Sequence, residues 1–592
     1  MRSNHSCSRV RVLLSVLSVT VGCIRAPSGP SGDVSRPSTP AAVFPAPSEL
    51  APLPSLPAPK EAFELGDVPV DRWTVEGSMQ FPADEQARYE DPSPWGDVAR
   101  AFAAAHHDAV RLSSSLRCAA LETARFYVQQ RGLPTESLRR FLVARCGATT
   151  PDASVFVYGG NASDTIPDAT LLDHSKAAVE EQLASQLTGT GPRVIGLAAY
   201  RAGGRFAIAT LTGSDPIALE PLPRSVNDSR HVSIRGRLRA PAAEVMAVVN
   251  QGDYGVTPCW AEPAAHLPSF AFTCKLSEQD HYAWVQIAVR QNGRVLTNSV
   301  ADLLIDDGTP SPLEYRSRAG LAPVPHDGDA RRDLFDAINA VRTGGKLAPL
   351  ILEAKQSDSD GRLVGTLLDA TFKHRDGEMD RIALGMLAGW DVGATIRNGG
   401  IFVGVVSAAE AGAWIDLAVE RPLGRLVLLD PAARRVAIAP AVQADGKGLG
   451  AVVTTYSLFD AVDPAADEAS VLERFTALRR ALGHQALDRL PAPPALDEEA
   501  RRVLGGAAEP GAALYAAMQA IADESAGRRV NGYVVEGNDL DHMPVPDALL
   551  NLPSGALAVR VTHHRVKGAA WGQYVIFFVV VSGPVSTGGV QM

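Results

Sequence analysis

Three stretches of this chain share one pattern: an apolar run, a polar turn with glycine, and a second apolar run. They are RVIGLAAYRAGGRFAIATLTG from Arg193, RVAIAPAVQADGKGLGAVVTTYSLF from Arg435 and ALAVRVTHHRVKGAAWGQYVIFFVVVS from Ala556. Paired apolar runs across such a turn predict β-hairpins. Each hairpin closes a longer block that begins with apolar residues at helical spacing. In the second block LFDAINAVRTGGKLAPL starts at Leu334, and in the third VLERFTALRRALGHQAL starts at Val471; each places an arginine (Arg342, Arg479) just before a stop glycine (Gly345, Gly483). A further helix follows, AKQSDSDGRLVGTLLDATF in one block and LDEEARRVLGG in the other. The first block reads WGDVARAFAAAHHDAV, LRCAALETARFYVQQRG and ESLRRFLVARCG, again helical.

Residues 220–312 carry a different pattern. Short alternating runs recur about every ten residues, and Gln291-Asn292-Gly293 is a hairpin turn signal between Val285–Val289 and Val295–Val300. That spacing predicts a small antiparallel β-sandwich. The run YVIFFVVV at Tyr574–Val581 is too short to span a bilayer and reads as a buried strand.

Helix, arginine, glycine, helix, then a middle strand, another helix and a closing hairpin together resemble the CAP superfamily, the SCP-like extracellular α-β-α sandwich. Asn339 and Arg342 resemble its opening Asn-x-x-Arg helix. Trp414 and Arg425 match its later segment, where Arg421-Pro422-Leu423-Gly424-Arg425 stands in place of a Ser-Pro-x-His-Arg and Gly424 replaces the histidine. The resemblance implies repeated three-layer α-β-α SCP-like units, and with the small antiparallel β-sandwich read from residues 220–312 the expected fold class is α+β. The expected divisions are a signal peptide (1–23), a linker (24–60), SCP-like units at 90–215, 328–460 and 465–585, and the sandwich at 220–315. The family's cleft holds two histidines and two acidic residues able to bind a divalent metal.

The N-terminus changes the setting. Arg2, Arg9 and Arg11 precede the apolar run VLLSVLSVTV, which ends in Gly22-Cys23. This reads as a secretory leader, and its end resembles a bacterial lipobox, with Thr20 where an aliphatic residue is usual. Cys23 is then the lipidation site; the alternative is ordinary cleavage with an unmodified thiol. Residues 24–60 are rich in Pro, Ser and Ala, without a period, and are expected to remain unfolded, reaching up to ~100 Å if extended. Ile24 after the cysteine points to the outer membrane.

The 592 residues are 46% hydrophobic and 21% charged, with net charge −10 and no basic cluster, which argues against nucleic-acid binding. Cys7 lies in the leader, and four cysteines besides Cys23 form two local pairs, Cys118 with Cys146 and Cys259 with Cys274. Disulfides are expected for an exported chain, with buried thiols as the alternative.

Candidate chemistry is sparse. His374 with Asp376, Glu378 and Asp380 could contribute to a metal site, but HRDGEMD also reads as a solvated acidic loop. Glu378 lies one helical turn from His374. His542, beside Asp539 and Asp541, is the other weak metal candidate. Alternation puts His563 and His564 on opposite faces of a strand. His106 and His107 are expected near a helix start, and Asp173, beside His174, as a helix cap. GxSxG, HExxH, P-loop and CxxC patterns are all absent from the sequence, and Ser113 in LSSSLRC lacks the strand–turn–helix setting of a nucleophile elbow. The expectation is a non-enzymatic surface lipoprotein without cofactor, partnered with the bilayer through its acyl anchor. It would bind proteins or small apolar ligands in clefts between units. The alternative is a secreted hydrolase or metal-dependent enzyme with an unrecognised site.

Overall fold

The computed structural model describes residues 10–12, 67–77 and 89–584, apart from 90, 108, 152, 164, 188–192, 223–224, 227–228, 263–264, 279–281, 293, 295, 307–313, 318–327, 373–375, 391, 393, 407–409, 443–447, 460–462, 526–527, 538–539, 541–544 and 566–571. The fold class is α+β: helices and strands alternate, but most strand pairs are antiparallel. Among the described residues two compact units separate, the larger through 386 with 400–455, the smaller taking 387–399 and 456–584.

One strand order occurs in three sheets. In the first, Val110–Leu112 is parallel to Arg193–Ala202, which forms a hairpin with Arg205–Ser214, and Ser154–Asn161 lies beyond. Val10–Val12 adds antiparallel to Ser154–Asn161; cleavage before Cys23 would remove that strand. The second sheet runs Ile351–Leu352, Arg435–Val442, Leu449–Leu458, Ile396–Val406, and the third Asp488–Arg489, Ala556–His564, Gln573–Pro584, Arg528–Gly537. In each sheet the hairpin supplies the two central strands and a two- or three-residue parallel strand forms one side.

Central strands buried on both faces need helices on both. The third sheet shows this most plainly. Tyr574, Ile576, Phe578 and Val580 pack with Val471 and Phe475 of helix Pro464–Ala481. The intervening Val575, Phe577, Val579 and Val581 pack with helices Pro494–Leu504 and Pro510–Glu524. The first sheet is likewise covered by helices Pro94–Ala105 and Asp168–Ser185 on one face and Ser114–Gln130 on the other. In the second, helices Ala330–Gly344, Ala411–Glu420 and Pro422–Leu428 cover Val436, Ile438 and Val453. Ala437, Ala439 and Val452, of opposite parity, are also buried. All ten residues of Leu449–Leu458 are buried, so both faces of this strand are covered.

The helices start where the chain satisfies their free N–H groups. Asp329 accepts from Arg331 N and Arg332 N, and Asp463 from Ala465 N and Ala466 N. Two local expectations are corrected. His106 and His107 follow the end of helix Pro94–Ala105 rather than opening one. Asp173 lies inside helix Asp168–Ser185, whose cap is Pro167, so the helix begins six residues earlier than the aspartate suggested.

Residues 217–306 form two facing four-stranded sheets around one core, in which Ile234, Phe270 and Phe272 meet Val249, Val285, Ile287 and Leu303. The hairpin signal at Gln291-Asn292 joins Tyr282–Arg290 to Asn298–Asp306, so the second strand begins at Asn298 rather than Val295. Cys259 lies where the chain leaves one sheet (Gly255–Pro258) for the other (Trp260–Ala261), and its disulfide to Cys274 fixes that crossing. The Cys118–Cys146 disulfide joins helix Ser114–Gln130 to the end of helix Glu136–Arg145. Disulfides of this kind belong to exported proteins.

Within the larger unit a buried polar network ties the sandwich to both of its neighbours. Arg140 donates through Nε to Asp302 Oδ2 at 2.5 Å, stacks on Trp284 at 3.8 Å and donates to the Glu420 carbonyl at 3.2 Å. Gln286 donates to Asp302 Oδ1 and accepts from Leu423 N, and Asn250 donates to the Glu420 carbonyl.

Removing one member of a buried ion pair leaves an uncompensated charge, at a cost of about 3–5 kcal/mol. Asp302→Ala should therefore lower the stability of the larger unit by that amount, read from its urea midpoint. A change within experimental error would show that the pair contributes nothing. Non-reducing peptide mapping should recover Cys118–Cys146 and Cys259–Cys274, and crossed pairs or free thiols would contradict these linkages.

Candidate functional site

The residues that carried the family resemblance serve the fold. Asn339 accepts from Leu350 N at 2.7 Å and donates to the Leu350 carbonyl at 3.2 Å, which pins the chain leaving its helix. Arg342 is fully buried and donates to the carbonyls of Ala348, Leu428 and Asp430. Arg479, in the smaller unit, repeats this arrangement with the carbonyls of Gln485, Leu549 and Leu550. In both cases Nε reaches the carbonyl six residues on, and the guanidinium binds the last carbonyls of a short helix, where a cation is favoured. Trp414 Nε1 donates to the Gly404 carbonyl at 2.9 Å. Arg425 donates to the carbonyls of Val419, Gly252 and Gly255, and Arg421 pairs with Glu136. Gly424 has the Ala418 carbonyl 2.0 Å from where a Cβ would lie, so a histidine does not fit at that position without movement of the backbone.

The weak metal candidates are not brought together. His374 and His542 lie outside the described residues, as do Asp539, Asp541 and the lipidation site Cys23. Glu378 is half-buried in helix Asp376–Ala388, so the DGEMD stretch is helix rather than the loop its charge suggested. Asp380 of that helix accepts from Leu296 N at 2.8 Å and pairs with Arg294. Among the described residues no group of three or more His, Cys, Asp or Glu is placed to hold a metal ion.

Two concavities among the described residues bear on a candidate site. The first, about 170 Å³, lies in the 90–215 region and is lined by Trp95, Arg117, Tyr200 and Phe206 among others. Asp91, its carboxylate 2% exposed, pairs with Arg117 Nε at 2.9 Å and accepts from Ser93 N. Burial opposes its ionisation, but those bonds outweigh burial and hold its pKa below the usual value. Burial, then the Asp91 charge, pushes Tyr89 up to about 12. Ser93 Oγ caps helix Pro94–Ala105. Asp91, Ser93 and Arg117 are thus committed to the ion pair and the helix start.

The second concavity, about 370 Å³, is a groove in the smaller unit between helix Pro464–Ala481 and strand Asp488–Arg489. Leu472, Phe475, Leu487 and Leu557 supply an apolar lining, and Glu473, Arg480, Asp488 and Arg489 add charge.

The strand Ala556–His564 places its histidines on opposite faces, as alternation requires. His563 stacks on Phe459, ring centroids 4.1 Å apart and planes at 8°. His564 is buried and pairs with Glu536 at 2.9 Å across the intervening strand. Burial, then the neighbouring His564, lowers the His563 pKa. Sequence periodicity located both histidines but not Phe459 or Glu536, since neither partner lies near them in sequence.

No protein-family model matches this sequence, and no curated protein matches it. Among the solved structures that match at low level are two bacterial proteins. An extracellular protein containing a SCP domain from Bacillus anthracis str. Ames superposes with TM-score 0.17 and 9% identity, over 41% of this chain and 85% of that one. A cysteine-rich secretory protein from Staphylococcus aureus subsp. aureus Mu50 gives TM-score 0.16 and 13% identity, over 41% and 83%.

A histidine whose pKa is lowered in the folded state binds protons more readily when unfolded. Stability is then complete above the ordinary value near 6.5 and falls as pH drops below it. Replacing His563 with Leu should flatten the acid side of the smaller unit's melting profile between pH 7.5 and 5.5. Calorimetry showing the same slope in both proteins would contradict this.

Proposed function

We propose that the protein is a non-enzymatic, lipid-anchored envelope protein whose degenerate SCP-like units serve as a binding scaffold. The observation that carries this reading is the strand order shared by three sheets, each closed by its hairpin, with helices on both faces of the first and third. In this reading 90–215, 328–460 and 465–585 are the three units and 220–315 the sandwich spacing two of them. The positions where the family would carry cleft chemistry hold Gly424 and buried arginines bonded to backbone carbonyls. Export is supported by the two disulfides. No helix among the described residues is long and apolar enough to cross a membrane, and Cys23 with its acyl chains supplies the anchor in this reading, in the outer membrane. In this reading the groove lined by Leu472, Phe475, Leu487 and Leu557 is the place for a small apolar ligand, whose hydrocarbon lies against these side chains while Glu473, Arg480, Asp488 and Arg489 meet any polar group it carries.

Cys23→Ala should shift the protein from the membrane pellet to the soluble envelope fraction, because stable anchoring requires more than one acyl chain. Sedimentation unchanged from the parent would refute lipidation. Leu487→Glu, which puts a carboxylate in the groove at a half-buried position, should abolish saturable uptake of a fluorescent fatty acid by the purified protein with its melting profile unchanged. Uptake that persists, or esterase turnover that survives repurification, would refute the binding-scaffold reading.

A further inference from the structure

We propose that the outward face of the sandwich sheet carrying Trp260 binds an acidic polysaccharide. Trp260 is 79% exposed, the most exposed of the large apolar side chains described. It lies on a strand held in register, opposite Thr273, and the adjacent Cys259 is locked to Cys274. Cys274 belongs to the sandwich core and Cys259 packs against it, so alternation turns Trp260 outward. An indole on a pinned strand loses little conformational freedom when it is covered by a ligand.

The neighbours of Trp260 follow from the register. Thr273 is opposite it and Ser233 opposite Thr273, which sets an indole and two hydroxyls in one row across three strands. The next row on this face carries Arg235, which pairs with Glu262 at 3.2 Å and faces Glu220 on its other side. That arginine is neutralised locally. Lys275 and Arg237 are exposed and make no ion pair among the described residues. Lys275 lies two residues beyond Thr273, roughly 7 Å away, and Arg237 four residues beyond Ser233 in the other direction, roughly 13 Å.

The chain as a whole carries −10, yet this face presents two uncommitted cations on either side of an exposed aromatic and its hydroxyls. Each feature matches a part of one ligand class. The C–H face of a sugar ring lies against the indole, an amphipathic platform. The hydroxyls of Thr273 and Ser233 exchange hydrogen bonds with sugar hydroxyls. Carboxylates or phosphates about 20 Å apart along a chain meet Lys275 and Arg237, a span that needs an oligomer rather than a single sugar. Two cations are too few for a nucleic-acid track. A lone aromatic also lacks the apolar cluster that a protein interface core requires.

The test uses the purified full-length chain and immobilised alginate, hyaluronate and heparin, with neutral pullulan and poly-glutamate as controls. Retention is expected on at least one acidic glycan and on neither control. Trp260→Ala should weaken it at least tenfold, Trp260→Phe less, and the double variant Arg237→Ala, Lys275→Ala should remove its salt dependence, all with unchanged melting profiles. The proposal is overturned if none of the three glycans is retained, if Trp260→Ala binds like the parent, if pullulan binds as well as the acidic chains, or if poly-glutamate binds equally and shows a general polyanion surface.

Discussion

The larger unit is organised around the ion pair between Arg140 and Asp302. A charge taken into the interior must be matched by hydrogen bonds or it destabilises the fold. Asp302 receives Arg140 on one oxygen and Gln286 on the other, and Arg140 also lies over Trp284. Gln286 then fixes Leu423 N, at the start of helix Pro422–Leu428. Helix Glu136–Arg145, the sandwich and the segment after Glu420 therefore share one set of donors and acceptors. None can shift without leaving a buried polar group unmatched, so the arrangement is specified by more than apolar contact.

A second constraint acts inside individual sheets. Arg342 and Arg479 each end an opening helix, turn inward and bind the terminal carbonyls of a helix far away in sequence. Carbonyls at helix ends have no partner within their helix. A buried guanidinium with several donors satisfies two or three at once, and hydrogen bonds involving a charged group contribute about 1.5–3 kcal/mol each. The same residue at the same place in two blocks makes the same bonds, which explains why the arginine and its following glycine were visible as a repeated pattern.

These commitments bear on function. Arg117 with Asp91, Arg425 with three carbonyls and Asp380 with Leu296 N are all groups that could have served chemistry and are instead engaged in holding the fold. Under the proposed binding-scaffold reading, a groove in the smaller unit and a sheet face bearing Trp260 are the places among the described residues for a ligand. Both suit recognition by shape, stacking and charge.

The sequence by itself determined the elements. Paired apolar runs across glycine-containing turns located the hairpins that became the central strands, helical spacing located the covering helices, and short alternating runs with turn residues located the sandwich. Local cysteine spacing gave both disulfide pairs, because each is closed within 15 or 28 residues. These signals are local, set by side-chain direction along a strand or helix. Asp173 and the histidines at 106 and 107 were misplaced because helix ends depend on capping partners and not on composition. Only the tertiary structure decided the rest. Arg140 and Asp302 are 162 residues apart, Gln286 and Leu423 137 apart, and no local pattern marks them as partners. The outward turn of Trp260 also depended on register, since a one-residue slip would have buried it in the core.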